Sequence, residues 1–332
     1  MPKFLLDTEQ RAFADSLAAL LKAADTPSVV RDWSRGEPAS GRALWRRIAE
    51  AGVCALAVPE AYGGLGRRPV ELAVAFVELG RYAVPGPLVE TVTAAALLSD
   101  AAAESRPEGR PPQPHPLIPT LLPALLDGTS LATLAPENSL ALDGDTADLR
   151  LTLTPDGLRL SPGHGPVRPS LDPARRRTPL SPGGDLLATR PDAALARLTT
   201  AAQALGVGEA LLDRTVAYVR ERTQFGVPIG SFQALKHRLA DAGLALEFAR
   251  PLLFGAALTM SDADIAAAKV SACEAAYTTA RTALQCHGAI GYTAEYDLSL
   301  WLTKARALRT AWGDPDTCRA ELLATHESGT TT

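Results

Sequence analysis

Between Tyr82 and Tyr218 the chain contains no phenylalanine, tryptophan or tyrosine. Any domain folded from that stretch must build its core from aliphatic side chains, and it cannot stack an aromatic ring on a planar cofactor. Long hydrophobic runs are also missing. No apolar stretch reaches the roughly eighteen residues that a spanning helix needs, and "MPKFLLDTEQRAFADS" at the N-terminus lacks the basic and apolar regions of a signal peptide. The expectation is a soluble protein that stays where it is made. Cysteine is scarce: Cys54, Cys273, Cys286 and Cys318 are scattered, with no C-x-x-C and no histidine pair at metal spacing. That excludes a zinc site or a disulfide framework as the organising principle and suits a reducing cytoplasm. No sign of charge dominates either, since 33 Lys and Arg stand against 37 Asp and Glu, interleaved along helices. Without a basic stripe, nucleic acid is not an expected partner.

What is abundant is apolar side chain, 46% of 332 residues, enough for a real core and for two or three domains. Three textures follow one another. Residues 1–100 read as a helical domain: Asp7 and Gln10 form a capping pair, Phe13, Leu17, Leu20 and Leu21 share one helical face, and Leu44, Ile48 and Ala51 mark a second helix. "VPEAYGGLG" then demands a loop, and a helix resumes after Pro69 with Leu72, Phe76 and Leu79. Residues 101–190 turn to Pro, Gly and short alternating segments. "LRLTLT" sets Leu149, Leu151 and Leu153 on one face, and "SLATLAP" and "GLRLS" are shorter versions, so a small, reduced β domain is expected. Its flanks, "ESRPEGRPPQPHP" and "SPGHGPVRPSLDPARRRTPLSPGG", read as loops. From 191 to 332 long helices return. Phe232, Leu235, Leu239, Ala242, Leu246, Ala249, Leu253 and Ala256 alternate steps of three and four, the seam of a helix in a bundle, and Pro251 within it should kink that helix. The predicted fold is mainly α with a small β domain, ending in a four-helix bundle.

Two turns of that bundle are too particular to be spacers. In "RERTQFGVPIGSFQ", residues 220–233, a helix ends in arginines, an aromatic and a glycine make a turn, and a new helix starts near Ser231 with Gln233 in its first turn. Open N–H groups there, with Arg222 beside them, suit a phosphate or pyrophosphate; a charged helix end plugged by Phe225 is the plainer reading. In "QCHGAIGYTAEYDLSLW", residues 285–301, Gly288 and Gly291 let backbone approach something closely, and Gln285 offers both donor and acceptor. His287 reads as a packing or turn histidine, since nothing at a useful spacing orients it as a base. "LGVGEA" at 205–210 imitates a dinucleotide fingerprint but has no strand before it and no third glycine.

Together the two turns resemble the acyl-CoA dehydrogenase family. "RTQFGVPIGSFQ" is similar to its R-x-x-F-G-x-x-[IL]-x-x-x-Q turn and "QCHGAIGYTAEY" to its Q-x-x-G-G-x-G-[FY]-x-x-E-[YF] segment, while "VPEAYGGLG" and "VELGRYAVPGPL" resemble its N-terminal domain. The resemblance implies helical, β and helical domains, FAD as cofactor, and α,β-dehydrogenation of an acyl thioester. It implies that Arg222, Phe225 and Gln233 contact the flavin nucleotide of a neighbouring subunit, and that Gln285, Gly288 and Ala289 line the cofactor; glycine is usual at position 289.

The same resemblance exposes a gap. The family's base is a Glu before a Gly near the end of the last long helix; counting from Gln285, that place is Trp312, one further turn along a face formed by Leu298, Leu302, Ala305 and Leu308. A second family location, one residue before an Arg on the first bundle helix, holds Ala196. The family's flavin-packing aromatic in the β domain is missing too. The chain therefore resembles a degenerate, base-lacking subunit of a hetero-oligomer, completed by a base-bearing partner acting on an acyl-CoA or acyl-carrier thioester. The alternatives are a self-sufficient enzyme whose displaced base is Asp314, a residue that as Asp before Pro also suits a helix cap, and a flavin-free scaffold subunit.

Overall fold

The computed structural model describes residues 5–103, 115–189 and 191–329. In chain order the first helices are α1 (Thr8–Lys22), α2 (Thr26–Ser34), α3 (Ala39–Glu50), α4 (Pro69–Arg81) and α5 (Leu88–Ala103). A short α6 (Ile118–Leu126) precedes the strands β1 (Ala132–Pro136), β2 (Leu140–Leu142), β3 (Leu149–Thr154), β4 (Gly157–Leu160), β5 (Arg177–Pro179) and β6 (Leu186–Ala188). Then come α7 (Ala194–Glu221), the two-residue strands β7 (Thr223–Gln224) and β8 (Val227–Pro228), and α8 (Gln233–Thr259), α9 (Asp262–His287), α10 (Leu298–Leu308) and α11 (Pro315–Gly329). The helical, β, helical order is the one expected, with three helices that were not read individually, α2, α5 and α6. α6 lies where only β texture was read: Ile118, Leu122 and Leu125 are buried at helical spacing, but Pro at the first turn and Pro123 inside mask the pattern. After the four bundle helices comes α11, the helix that Asp314 was read as suited to cap. Of the proline-rich flank 104–116, residues 104–114 lie outside the described residues.

The chain divides into two compact units, one of Met1–Pro27, Ala73–Val84 and Arg197–Thr332, the other of Ser28–Leu72 and Pro85–Ala196. In the second, a four-stranded sheet runs β1-β3-β4-β6, with β1 and β3 parallel and the other pairs antiparallel, and β2 pairs with β5. Leu149, Leu151 and Leu158 supply the aliphatic core that an aromatic-free domain requires. α5 docks on it by exchanging two hydrogen bonds, Thr91 Oγ1 to the Ala132 carbonyl at 2.9 Å and the Ala132 N–H to Thr91 Oγ1 at 3.1 Å. The flank expected as loop contributes one short strand, β5, because its backbone completes the β2 edge.

A buried acid sits beside that edge. Asp143 is fully buried with φ +52°; its Oδ1 accepts the Arg176 N–H at 3.1 Å, and the Arg176 side chain pairs with Asp145. Burial pushes the Asp143 carboxyl up to about 8, against the pull of Arg175 and the Arg176 amide.

In the other unit α1 starts with the expected capping box, Asp7 with Gln10. α7 packs against the 73–84 segment through glycines: a Cβ added at Gly206 would fall 1.8 Å from the Val77 carbonyl oxygen, and one at Gly80 would fall 2.1 Å from that of Gln203. So "LGVGEA" is a helix–helix contact. Of the expected α8 seam, Ala242, Leu246, Ala249, Leu253 and Ala256 are buried, while Leu235 and Leu239 are half-buried and Phe232 is exposed. α8 continues through Pro251 as one helix. By length and composition α8 could cross a membrane, yet its inner face belongs to the bundle core. α9 packs through small residues, with Ala268, Ala272, Ala276, Ala280 and Ala283 buried. Trp301 of α10 donates its indole N–H to the Arg81 carbonyl at 2.9 Å under the Arg214 guanidinium, which lies 3.7 Å from the ring centre. The four cysteines are buried free thiols.

Two predictions follow from these contacts. Gly206→Ala should cost at least about 1–3 kcal/mol in urea unfolding, because the added methyl meets backbone and not a mobile side chain. For Asp143 the raised folded pKa means that its contribution to stability is complete in acid and is lost as pH rises from about 4 to about 8, at up to ~1.4 kcal/mol per pH unit. Asp143→Asn, which tolerates the positive φ, should flatten that decline and be more stable than the parent at pH 8, as read by unfolding curves at pH 5 to 9.

Candidate functional site

The first turn is a two-residue hairpin. α7 ends at Glu221, the Arg222 N–H still donates to the Tyr218 carbonyl at 2.9 Å, and the strands pair Thr223 with Pro228 and Gln224 with Val227. Phe225 (φ +54°) and Gly226 (φ +79°) form its tip, both in the left-handed region that suits the right-handed twist of a tight hairpin. The Ile229 N–H donates to the Arg222 carbonyl at 2.8 Å and closes the loop, a 3-10 turn covers Ile229–Ser231, and α8 begins at Gln233. Its N-cap is Phe232, which supplies no side-chain cap. The first N–H groups of α8 therefore lack the partner that Ser or Asp would offer, which is the anion-friendly helix start the sequence suggested. The plug reading of Phe225 fails: the ring is 92% exposed and meets only Phe232 edge-on, at 6.3 Å.

The second turn begins where α9 stops. Gly288 has φ +63° and ψ −137°, a conformation closed to residues with a Cβ, and Gly288–Tyr292 form a 3-10 turn. Close approach explains only one of its glycines. A Cβ at Gly291 would sit 3.1 Å from Leu284 and 3.2 Å from His287, whereas one at Gly288 meets nothing within 4 Å, so Gly288 is needed for its dihedral angles. His287 is buried, with Nδ1 2.8 Å from the Ala283 carbonyl and its ring stacked on Tyr218 at 4.1 Å, a packing residue. Through that stack the C-terminal ends of α7 and α9 lie side by side, so both turns occupy one end of the bundle. All six candidates, Arg222, Phe225, Gln233, Gln285, Gly288 and Ala289, are exposed.

At the place where the resemblance puts the family's base the structure corrects the expected packing. α10 ends at Leu308, four residues short of Trp312, and its buried face carries Trp301 where Leu302 was expected. At the helix end Lys269, 1% exposed, reaches across from α9 and donates from Nζ to the carbonyls of Leu308 (3.2 Å), Arg309 (3.2 Å) and Gly313 (3.0 Å). The chain then turns through Trp312 at φ +56° and Gly313 at φ +122°, and Arg197 Nε donates to the Trp312 carbonyl at 3.3 Å. Trp312 is half-buried in this turn and is not a further step along a helix face. Ala196, the other location, is a fully buried methyl.

Asp314 is the N-cap of α11. Its carboxylate accepts the Asp316 and Thr317 N–H groups, each at 3.0 Å, and the Thr317 hydroxyl at 2.7 Å, with Pro315 in the first helical position. The hydroxyl and the amides together hold its pKa below the usual carboxylate range, which weakens it as a base. Glu209, the buried acid of α7, is claimed by Arg81 and Arg250 at once. That network was not foreseen, because its arginines lie 128 and 41 residues away in sequence.

The β domain carries a cleft of about 740 Å³ between the 136–140 loop, Thr152 and Thr154 of β3, Arg159 of β4, and the 179–183 loop, with Arg168 at its edge. Its lining has hydroxyls and two guanidiniums but no aromatic ring. The residues present thus fit FAD at the two turns, which offer exposed donors, and do not provide a ring to pack on a flavin in this chain's own β domain.

Comparison with known proteins agrees with this geometry. Residues 7–106 match the model of the acyl-CoA dehydrogenase N-terminal domain and residues 188–324 that of the C-terminal domain. The chain is 33% identical over 317 residues to the acyl-CoA dehydrogenase IpdE2 of Mycolicibacterium smegmatis, covering 93% of this chain and 96% of that protein. Among solved structures, the ChsE4-ChsE5 complex from Mycobacterium tuberculosis superposes with a TM-score of 0.81 at 24% identity, over 99% of each chain. The Tcur3481-Tcur3483 steroid ACAD variant does so with a TM-score of 0.80 at 24% identity, over 98% of this chain and 99% of that one. The chain belongs to the acyl-CoA dehydrogenase family, and FAD is its cofactor.

A cap and a base respond differently to substitution. Asp314→Asn, which keeps the capping oxygen, should leave both the melting temperature and the turnover of an active complex containing this chain unchanged, whereas Asp314→Ala should lower the melting temperature alone. Loss of turnover on Asp314→Asn would assign the residue to the chemistry.

Proposed function

We propose that this chain is the base-lacking subunit of a hetero-oligomeric, flavin-dependent acyl-CoA dehydrogenase. It works beside a second, base-bearing subunit of the same family in the α,β-dehydrogenation of an acyl-CoA or acyl-carrier thioester. One observation carries the reading. The position where the family keeps its catalytic glutamate is an indole in a left-handed turn tied down by Lys269 and Arg197, while the residues that reach a neighbour's cofactor are all exposed. When bound, FAD supplies the hydride acceptor.

Each residue then has a task in binding. Arg222 gives a fixed positive charge and Gln233 an amide at the open start of α8, both suited to the phosphates and nucleotide of FAD across the interface. Phe225 offers an apolar ring at the hairpin tip. Gln285 donates and accepts from the second turn, and Gly288 and Ala289 let the cofactor pass close to backbone; the methyl of Ala289 faces open surface, which favours its being tolerated. The proton at the substrate's α-carbon goes to a carboxylate of the partner. Functional boundaries at 1–100, 101–190 and 191–332 fit this division, the reduced β domain being the part that a partner's pocket replaces. A soluble, cytoplasmic location, a role in lipid metabolism, and no binding to nucleic acid or membrane belong to the same reading.

Asp314 as a displaced base is the second reading, and its place in the α11 cap weighs against it. A flavin-free scaffold is the third, and the exposed hairpin with Arg222 and Gln233 weighs against that. Co-expression with a base-bearing partner should yield a yellow complex active on acyl-CoA, and Arg222→Ala in this chain should lower flavin affinity by about tenfold or more, the loss of one charge-assisted contact. A flavin-loaded, active homo-oligomer of this chain alone would overturn the reading.

A further inference from the structure

The two turns that present the cofactor residues hang from different helices, and one side chain touches the supports of both. His287 is the last residue of α9 and is 4% exposed. Its ring lies nearly parallel to Tyr218 of α7, centroids 4.1 Å apart and planes 22° apart, and is tilted by 49° against Tyr296 at 5.6 Å. Tyr218 stands one helical turn before Arg222 and accepts its N–H, and Arg222 in turn accepts the N–H of Ile229 that closes the hairpin. On its other side His287 adjoins Gly288, the pivot of the second turn, and its Cβ limits the space at Gly291. The path from one turn to the other therefore runs Ile229, Arg222, Tyr218, His287, Gly288.

The state of the ring follows from its bonds. A carbonyl can only accept, so the nitrogen facing Ala283, Nδ1, carries the hydrogen. Nε2 is then a bare lone pair, buried and without a partner. Burial keeps the ring's pKa below the ordinary histidine value, in line with a neutral imidazole used as a flat surface. Among the described residues no carboxylate hydrogen-bonds to it, so it is not built as a general base.

We propose that His287 is a positioning residue, a neutral aromatic spacer that fixes the 222–233 hairpin relative to the 285–292 turn so that both meet one flavin. The flavin half of this statement rests on the function proposed above; the mechanical half does not. Hydrogen exchange on the full chain without a partner tests the mechanical half. In His287→Ala the amides of Ile229 and Thr293 should both exchange about tenfold faster or more, as local opening becomes easier on each side. His287→Phe keeps a ring and has neither nitrogen, and it should return both amides to the wild-type rate. If His287→Ala does not fold, Tyr218→Leu approaches from the other helix and should loosen Thr293 as well as Ile229. Acceleration confined to 288–293, or failure of His287→Phe to restore the hairpin, overturns the proposal.

The flavin half is read in the partner complex. His287→Ala should lose flavin to the same degree as Arg222→Ala, the double variant should lose little more than either, and His287→Phe should retain it. Wild-type flavin retention in His287→Ala overturns the positioning role while leaving the proposed function standing. A wild-type complex with no flavin overturns the proposed function and leaves the exchange result to judge the coupling.

Discussion

A buried ammonium holds the chain where α10 ends, and the turn that follows is built around it. Lys269 is sealed among small residues of α9, and a charge so placed is costly unless every proton finds an acceptor. It finds three, all main-chain carbonyls at or beyond the C-terminus of α10, where the helix dipole already favours a cation. The arrangement satisfies orphaned carbonyls and the charge together. α10 ends there. The chain reverses through two positive-φ residues, Asp314 caps α11, and Arg197 binds the turn to Glu321 of α11 as well as to the Trp312 carbonyl. The place that the family reserves for a base is thus held here by tertiary hydrogen bonding to backbone atoms.

The other end of the bundle is built on the opposite principle. There the hairpin and the second turn leave their distinctive side chains outside, and only the supports are buried: Tyr218 and Tyr296 half-covered, His287 covered. An exposed phenylalanine, a helix start without a side-chain cap and an exposed arginine stand together there, a set of groups suited to completing a neighbour's site. Loss at one end and retention at the other make sense together if two different chains share the work.

Local signals carried the legible part of the fold. The Asp7 and Gln10 cap, the alternation of "LRLTLT" and the inner residues of α8 depend on neighbours three or four positions away, or on alternate positions of one strand, and all can be read in sequence. Both site turns could be placed as well, because Gly226 and Gly288 mark breaks in the helices, although nothing in the sequence announces the positive φ of Phe225. What escaped was decided by distant partners. The carbonyls at the end of α10 are held by Lys269, about forty residues earlier, and periodicity alone carried the helix on to Trp312. α6 was hidden by Pro119 in its first turn and Pro123 inside it. Phe225 looked like a plug because sequence cannot show that nothing in the same chain covers it. The buried Asp143 gave no signal, since an acid in "LDGD" is ordinary turn chemistry until β2 and β5 close over it.

The central claim is that a complete flavin site needs two chains, one of them without a base. It is tested most directly by counting flavins against protein in the purified complex of this chain and its partner, from visible absorbance and amino-acid analysis. The account predicts one flavin for each pair of unlike chains and none for this chain alone. One flavin for every chain would show that this subunit builds a pocket of its own and would contradict it.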